Sequence, residues 1–162
     1  MKPLGPIAYI LRMRVILLRD MGSSMSPMNA FQFIQGLETL PLRMQAHCEN
    51  ATKIANFLNA HDKVTSVIYP GLQSGASKAY ADKHMSGGYG GLVGFELLEG
   101  KAAGKKFIDR LALLYHVANI GDARSLAIHP ASTTHSQLSA EYQLASGVTP
   151  GYVRLSVCME DI

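Results

Sequence analysis

Arg154 stands in the run Val153-Arg154-Leu155-Ser156-Val157, an arginine inside an alternating strand pattern. Neighbours in such a strand face a core or pack beneath a helix. Its guanidinium therefore has to reach water at a sheet edge or find an anion. In the second case the planar fork grips a carboxylate through two parallel hydrogen bonds. Asn119 closes another extended segment and is either a turn asparagine or an amide donor to the same carboxylate. The two residues make a candidate carboxylate clamp, which binds but does not by itself define a reaction.

Other reactive residue types lack the spacing their chemistry needs. The six histidines form no HExxH, and His129 and His135, in HPASTTH, would need two further donors to hold a metal. No nearby cysteine or carboxylate supplies them, so no metal is expected and these read as hydrogen-bonded histidines of a turn. The run Ser86–Gly91, SGGYGG, precedes a strand, whereas a phosphate-binding loop needs a helix N-terminus after it. It reads as a flexible entry to that strand. GxSxG is absent. Cys158, beside Val and Leu, reads as a small buried hydrophobe rather than a nucleophile.

The elements that must position Arg154 follow from periodicity and punctuation. A first helix is expected from about Ile7 to Asp20, stopped by Gly22. Ser26 as N-cap and Pro27 at the first position open a second, with Ala30, Phe31, Phe33, Ile34 and Leu37 on a broad apolar face. A break near Thr39–Leu40, with Thr39 as cap, puts Pro41 in the first turn of a third helix. That helix runs to about Ala60, with Met44, Cys48, Ala51, Ile54, Ala55 and Leu58 on one side. Strands are expected at Val64–Tyr69, Leu92–Leu98 and Tyr152–Val157, and extended segments at Leu113–Ile120 and Ser125–Ile128. Short helices fall near Ser77–Met85, Ala102–Leu111 and Leu138–Ala145, the last capped by Ser139 and stopped by Gly147. Helices first, then strands mixed with helices, mean an α+β layer with a mixed or antiparallel sheet and helices on one face.

Composition narrows the classes. At 162 residues the chain has room for one domain, and 48% hydrophobic residues can build its core. Lys and Arg are scattered, so no nucleic-acid partner is expected. No apolar run reaches the length of a membrane span, and the apolar stretch Ile7–Leu18 is broken by Arg12 and Arg14. Two cysteines without a CxxC fit a reducing cytoplasm. Charged residues are only 17%, against about 25% in a common soluble domain, so part of the surface should face protein rather than water.

Four stretches carry a resemblance. They are Leu18–Ala51 (LRDMGSSMSPMNAFQFIQGLETLPLRMQAHCENA), Tyr69–Leu72 (YPGL), Ala118–Pro150 (ANIGDARSLAIHPASTTHSQLSAEYQLASGVTP) and Val153–Ile162 (VRLSVCMEDI). Together they resemble the C-terminal part of the pyridoxal-phosphate enzymes of cysteine and methionine metabolism, and within them the O-acetylhomoserine sulfhydrylases. The resemblance begins near Ile10, and Met1–Pro6 match nothing. It implies the C-terminal small domain of a fold-type I transferase, preceded by long helices. Residues 1–60 would be a helical segment linking to a pyridoxal-phosphate domain, and residues 61–162 the α+β domain, ending before its last helix.

The implied activity is γ-replacement: acetate leaves O-acetylhomoserine and sulfide or a thiol such as methanethiol replaces it, giving homocysteine or methionine. The implied cofactor is pyridoxal 5'-phosphate, held mainly by a cofactor domain on another segment or a separate chain. Family members are homo-oligomers. The family arginine that binds the substrate α-carboxylate matches Arg154, and the residue before the Ile-Gly-Asp motif, which approaches the same carboxylate, matches Asn119. Related lyases carry serine there, so Asn119 favours the sulfhydrylases over methionine γ-lyases and cystathionine γ-synthases. Cys158 stands where the family has glycine, and Pro41 where serine is usual. The S-x-T-K segment of the Schiff-base lysine is absent, and Lys2 has no matching context. No catalytic residue is thus expected in this chain, whose cofactor contacts stay unassigned. The rival expectation is a remnant that folds without catalysing.

Overall fold

The computed structural model describes residues 2–162, with side chains from Gly5 onward, so the Lys2 side chain lies outside it. The chain divides into two compact units, Met1–Leu40 and Pro41–Ile162. In the first, α1 (Ala8–Arg12) runs on as a π-helix over Met13–Asp20, and Gly22 ends it with φ +71°. The stop was legible in the glycine; the π-helical turns were not. Helix α2 (Pro27–Glu38) opens as expected, with Ser26 Oγ accepting the Asn29 N–H at 3.2 Å. None of its apolar residues is buried.

The second unit is α+β. Helix α3 (Leu40–Asn59) follows α2 after the single residue Thr39, and Pro41 falls in its first turn, where a missing N–H costs little. Its buried row is His47, Ala51, Ala55 and Leu58. This corrects the expected face: Met44 is exposed, and His47 takes the inner position one helical turn before Ala51. Then follow β1 (Val64–Ile68), α4 (Gly75–His84), β2 (Leu92–Leu97), α5 (Gly100–Asp109), β3 (Leu126–Ile128), α6 (Ala140–Ala145) and β4 (Tyr152–Ser156). Ser139 Oγ caps α6 by accepting the Tyr142 N–H, and Gly147 leaves it with φ +78°.

The four strands form one antiparallel sheet in the order β1-β2-β4-β3. Val93 and Phe95 of β2, and Val153 and Leu155 of β4, point to one face. There they pack with Ala51, Ala55 and Leu58 of α3 and Ile108 of α5. Burying side chains of this size contributes about 1.5–3 kcal/mol each. The alternate residues Leu92, Gly94, Tyr152 and Arg154 point to the other face, where they line a cavity together with Met44 and His47 from α3.

The expected extended segment Leu113–Ile120 meets the sheet only at Tyr115, which bridges Leu126 in a parallel sense, and the carbonyls of Ala118 and Asn119 accept hydrogen bonds from Arg154 instead of a strand neighbour. Of the two readings open for Arg154, the structure excludes the edge position. Arg154 lies on an inner strand, opposite Gly94 on one side and Ile128 on the other.

The chain after β4 is strapped to both layers. Asn50 of α3 donates to the carbonyls of Cys158 (2.9 Å) and Glu160 (2.8 Å). The Glu160 carboxylate accepts from Ser125 N–H (2.6 Å) and Ser125 O–H (2.7 Å). Ser125 Oγ in turn accepts the Cys158 N–H at 2.9 Å. No helix of the described residues is long and apolar enough to cross a membrane.

Candidate functional site

The open face of the sheet carries a cavity of about 510 Å³ with Arg154 in its wall. Strand alternation puts the arginine there, because Val153 and Leu155 take the core positions. Its Nη2 donates to the Ala118 carbonyl at 2.6 Å and to the Asn119 carbonyl at 3.3 Å. These bonds hold the guanidinium out over the cavity. Its Nε is buried and has no hydrogen-bond partner. A buried, unpaired donor on a cation costs free energy that an incoming anion would recover. The rest of the lining is mostly apolar, and it contains no aspartate, glutamate or lysine among the described residues. No carboxylate of this chain therefore competes for the fork.

The structure brings Asn119 to Arg154, but through its backbone. The contact is the carbonyl oxygen, and the Asn119 residue itself is exposed. Ile120 and Gly121, which follow it, line the cavity. Gly121 N–H donates to Ser156 Oγ at 3.2 Å, tying this loop to β4.

The remaining sequence candidates are structural. His129 is fully buried, with Nδ1 against Ser132 Oγ (2.8 Å) and Nε2 against the Pro150 carbonyl (2.7 Å). Both ring nitrogens are thus occupied. His135 pairs with Thr134 Oγ1 at 2.9 Å. The glycine-rich run leads into β2, with Gly87, Gly88 and Gly90 at positive φ. Gly88 lies so close to Cys48 that a Cβ would meet its Sγ at 2.6 Å. Cys158 is 1% exposed, its Sγ bonded to the Asp122 carbonyl at 3.0 Å, and burial pushes the thiol up from its ordinary value. That makes it a packed, protonated side chain and not a nucleophile.

Three cavity residues were not visible in the sequence as parts of a site. Tyr89 reaches the rim, where its hydroxyl donates to Asp82 at 2.6 Å. His47 donates Nδ1–H to the Val157 carbonyl at 2.6 Å. Tyr152 lies on the same face as Arg154. Its one available signal was position, two residues from the arginine on a strand.

The cavity does not fit a pyridoxal-phosphate site by itself. A lysine to carry the aldehyde and an acid for the ring nitrogen would have to line it, and neither does. What the arrangement can do is seat and orient a carboxylate.

The Cys/Met metabolism PLP-dependent enzyme family matches residues 8–162. The O-acetyl-L-homoserine sulfhydrylase of Leptospira meyeri is 56% identical over 157 residues, covering 96% of this chain and 36% of that protein. The O-acetyl-L-homoserine sulfhydrylase of Corynebacterium glutamicum is 48% identical, over 98% of this chain and 36% of its own length. A crystal structure from Campylobacter jejuni, provisionally assigned as an O-acetylhomoserine (thiol)-lyase, superposes with a TM-score of 0.84 at 42% identity. It covers 96% of this chain and 37% of that one. The cystathionine γ-synthase of Xanthomonas oryzae pv. oryzae gives 0.78 at 38% identity, over 88% of this chain and 36% of that one. The chain spans a little over a third of the length of these relatives.

Proposed function

Because the chain belongs to the Cys/Met metabolism PLP-dependent enzyme family, we propose that it supplies the substrate-carboxylate clamp of an O-acetylhomoserine sulfhydrylase-type transferase. The observation that carries this is the Arg154 guanidinium, held over an apolar cavity with a buried, unpaired Nε. The sulfhydrylases among its relatives support the substrate class. In this reading O-acetylhomoserine presents its α-carboxylate to Arg154, whose guanidinium donates two charge-assisted hydrogen bonds to it. A carboxylate held at both oxygens restricts rotation of the amino acid, so its Cα–H points in one direction. Such orientation is worth orders of magnitude in rate.

The pyridoxal phosphate needed for γ-replacement by sulfide or a thiol would be held by a cofactor domain outside residues 1–162. Residues 1–60 would link that domain to the α+β domain of residues 61–162, in a homo-oligomer. The two free cysteines suit a cytoplasmic location. Asn119 would bound the carboxylate seat through its backbone.

The test is a chimera. The matching third of the Leptospira meyeri sulfhydrylase is replaced by this chain, and sulfhydrylase kinetics are measured with O-acetylhomoserine and sulfide. Activity is expected. Arg154→Ala should raise KM and lower kcat, cutting kcat/KM by about 100-fold or more, the loss of two bonds to a charged group. Unchanged kinetics in Arg154→Ala remove it from the site. A folded, cofactor-loaded chimera without activity favours the non-catalytic remnant.

A further inference from the structure

The cavity that holds Arg154 contains a second polar side chain with no assigned role. Tyr152 precedes Arg154 by two residues on β4, so both side chains stand on the open face of the sheet. The Tyr152 ring crosses to β2 and lies over Gly94. A Cβ built at Gly94 would meet the tyrosine Oη at 2.5 Å and Cε2 at 2.7 Å. Gly94 is the residue directly opposite Arg154 in the β2–β4 register. The tip of the phenol thus sits above the position facing the arginine, and directly opposed residues are only about 4.5–5.5 Å apart. Glycine inside a strand commonly marks such a close approach.

The hydroxyl is available. Among the described residues it is influenced by burial and by the charge of Arg154, with no hydrogen bond to it, while the carboxylate of Glu96, its register partner, is held by other donors. Oε1 accepts the Gly151 N–H at 2.9 Å, and Oε2 accepts from the Thr149 hydroxyl. Burial pushes the Tyr152 phenol up from its ordinary value, against the opposing effect of Arg154, so the group is a protonated donor at neutral pH. A carboxylate gripped by an arginine fork still has lone pairs to offer.

We propose that Tyr152 is a positioning residue of the carboxylate site, its hydroxyl donating to an oxygen of the α-carboxylate that Arg154 grips. This rests on the clamp reading of Arg154. Gly94 belongs to the device, because any larger residue would push the ring off its seat. The site then selects ligands with a free α-carboxylate and admits one orientation of it.

The experiment uses the ¹⁵N-labelled chain and L-norleucine, a stable amino acid of suitable length, with n-butylamine as the probe lacking a carboxylate. The Arg154 Nε–H resonance and the backbone amides of Gly94, Gly121 and Arg154 are followed during titration, the amides serving for the variant that lacks the guanidinium. These should move with norleucine and not with butylamine. Tyr152→Phe keeps the ring over Gly94 and removes only the hydroxyl. Its Kd for norleucine should rise about tenfold, the loss of one hydrogen bond to a charged group, with the rest of the spectrum unchanged. Gly94→Ala should weaken binding comparably. An unchanged Kd in Tyr152→Phe, when Arg154→Met abolishes binding, overturns the role of Tyr152 and leaves the clamp. Norleucine binding that survives Arg154→Met, or no binding by the unsubstituted chain, overturns both.

Discussion

Gly104 of α5 packs against the His129 imidazole so closely that a Cβ at position 104 would lie 2.4 Å from the ring's Cδ2 and Nε2. The ring cannot yield, since Ser132 and the Pro150 carbonyl hold its two nitrogens. This contact locks α5 to the loop between β3 and α6. It also places Pro150, and therefore the start of β4, at a fixed height against the helix.

Gly104→Ala should consequently destabilise the fold by about 2–3 kcal/mol through overpacking, although alanine is the better helix former. Urea denaturation followed by circular dichroism measures it. A stabilised variant would mean that the histidine moves freely.

Arg154→Met should behave in the opposite way. Methionine keeps an apolar stem in the cavity wall and removes the buried, unpaired Nε. The two lost bonds to Ala118 and Asn119 are worth about 3 kcal/mol together, roughly offset by relief of that buried charged donor, which costs about as much. The unfolding free energy should therefore change by no more than about 1 kcal/mol, while carboxylate binding disappears. A loss above about 3 kcal/mol would mark the arginine as a strut.

Glu160 gives the protein an acid-sensitive latch. Burial raises its carboxyl, but the Ser125 N–H and O–H bonds outweigh that, and the net shift is below the ordinary carboxylate value. A carboxylate lowered in the folded state stabilises above its unfolded pKa, and that stability is lost as pH falls through the folded value. Glu160→Gln should therefore be less stable than the natural chain at pH 7, with the gap closing in acid. Urea midpoints at pH 7 and about pH 3 test this; a gap independent of pH would show that the charge does not matter.

Sequence alone determined most of the local structure, because local signals govern it. Ser26, Ser139, Gly22 and Gly147 set helix ends through hydrogen bonds within a turn or through positive φ. Alternation at Tyr152–Ser156 made β4 legible, and the long match from Asn119 to Arg154 made the family legible.

Strand order, by contrast, depends on pairing across tens of residues. That is why Arg154 was open to an edge assignment until β2 and β3 were found on either side of it. The same holds for His47, whose partner Val157 is 110 positions away, and for Ala118 and Asn119, whose carbonyls turn to Arg154 rather than to a strand. The sequence by itself established that an arginine on a strand needed an anion or water. Only the tertiary structure placed that arginine, because strand pairing put it on an inner strand with Nε buried, left no carboxylate of the described residues in the cavity lining, and laid Tyr152 over Gly94 opposite it.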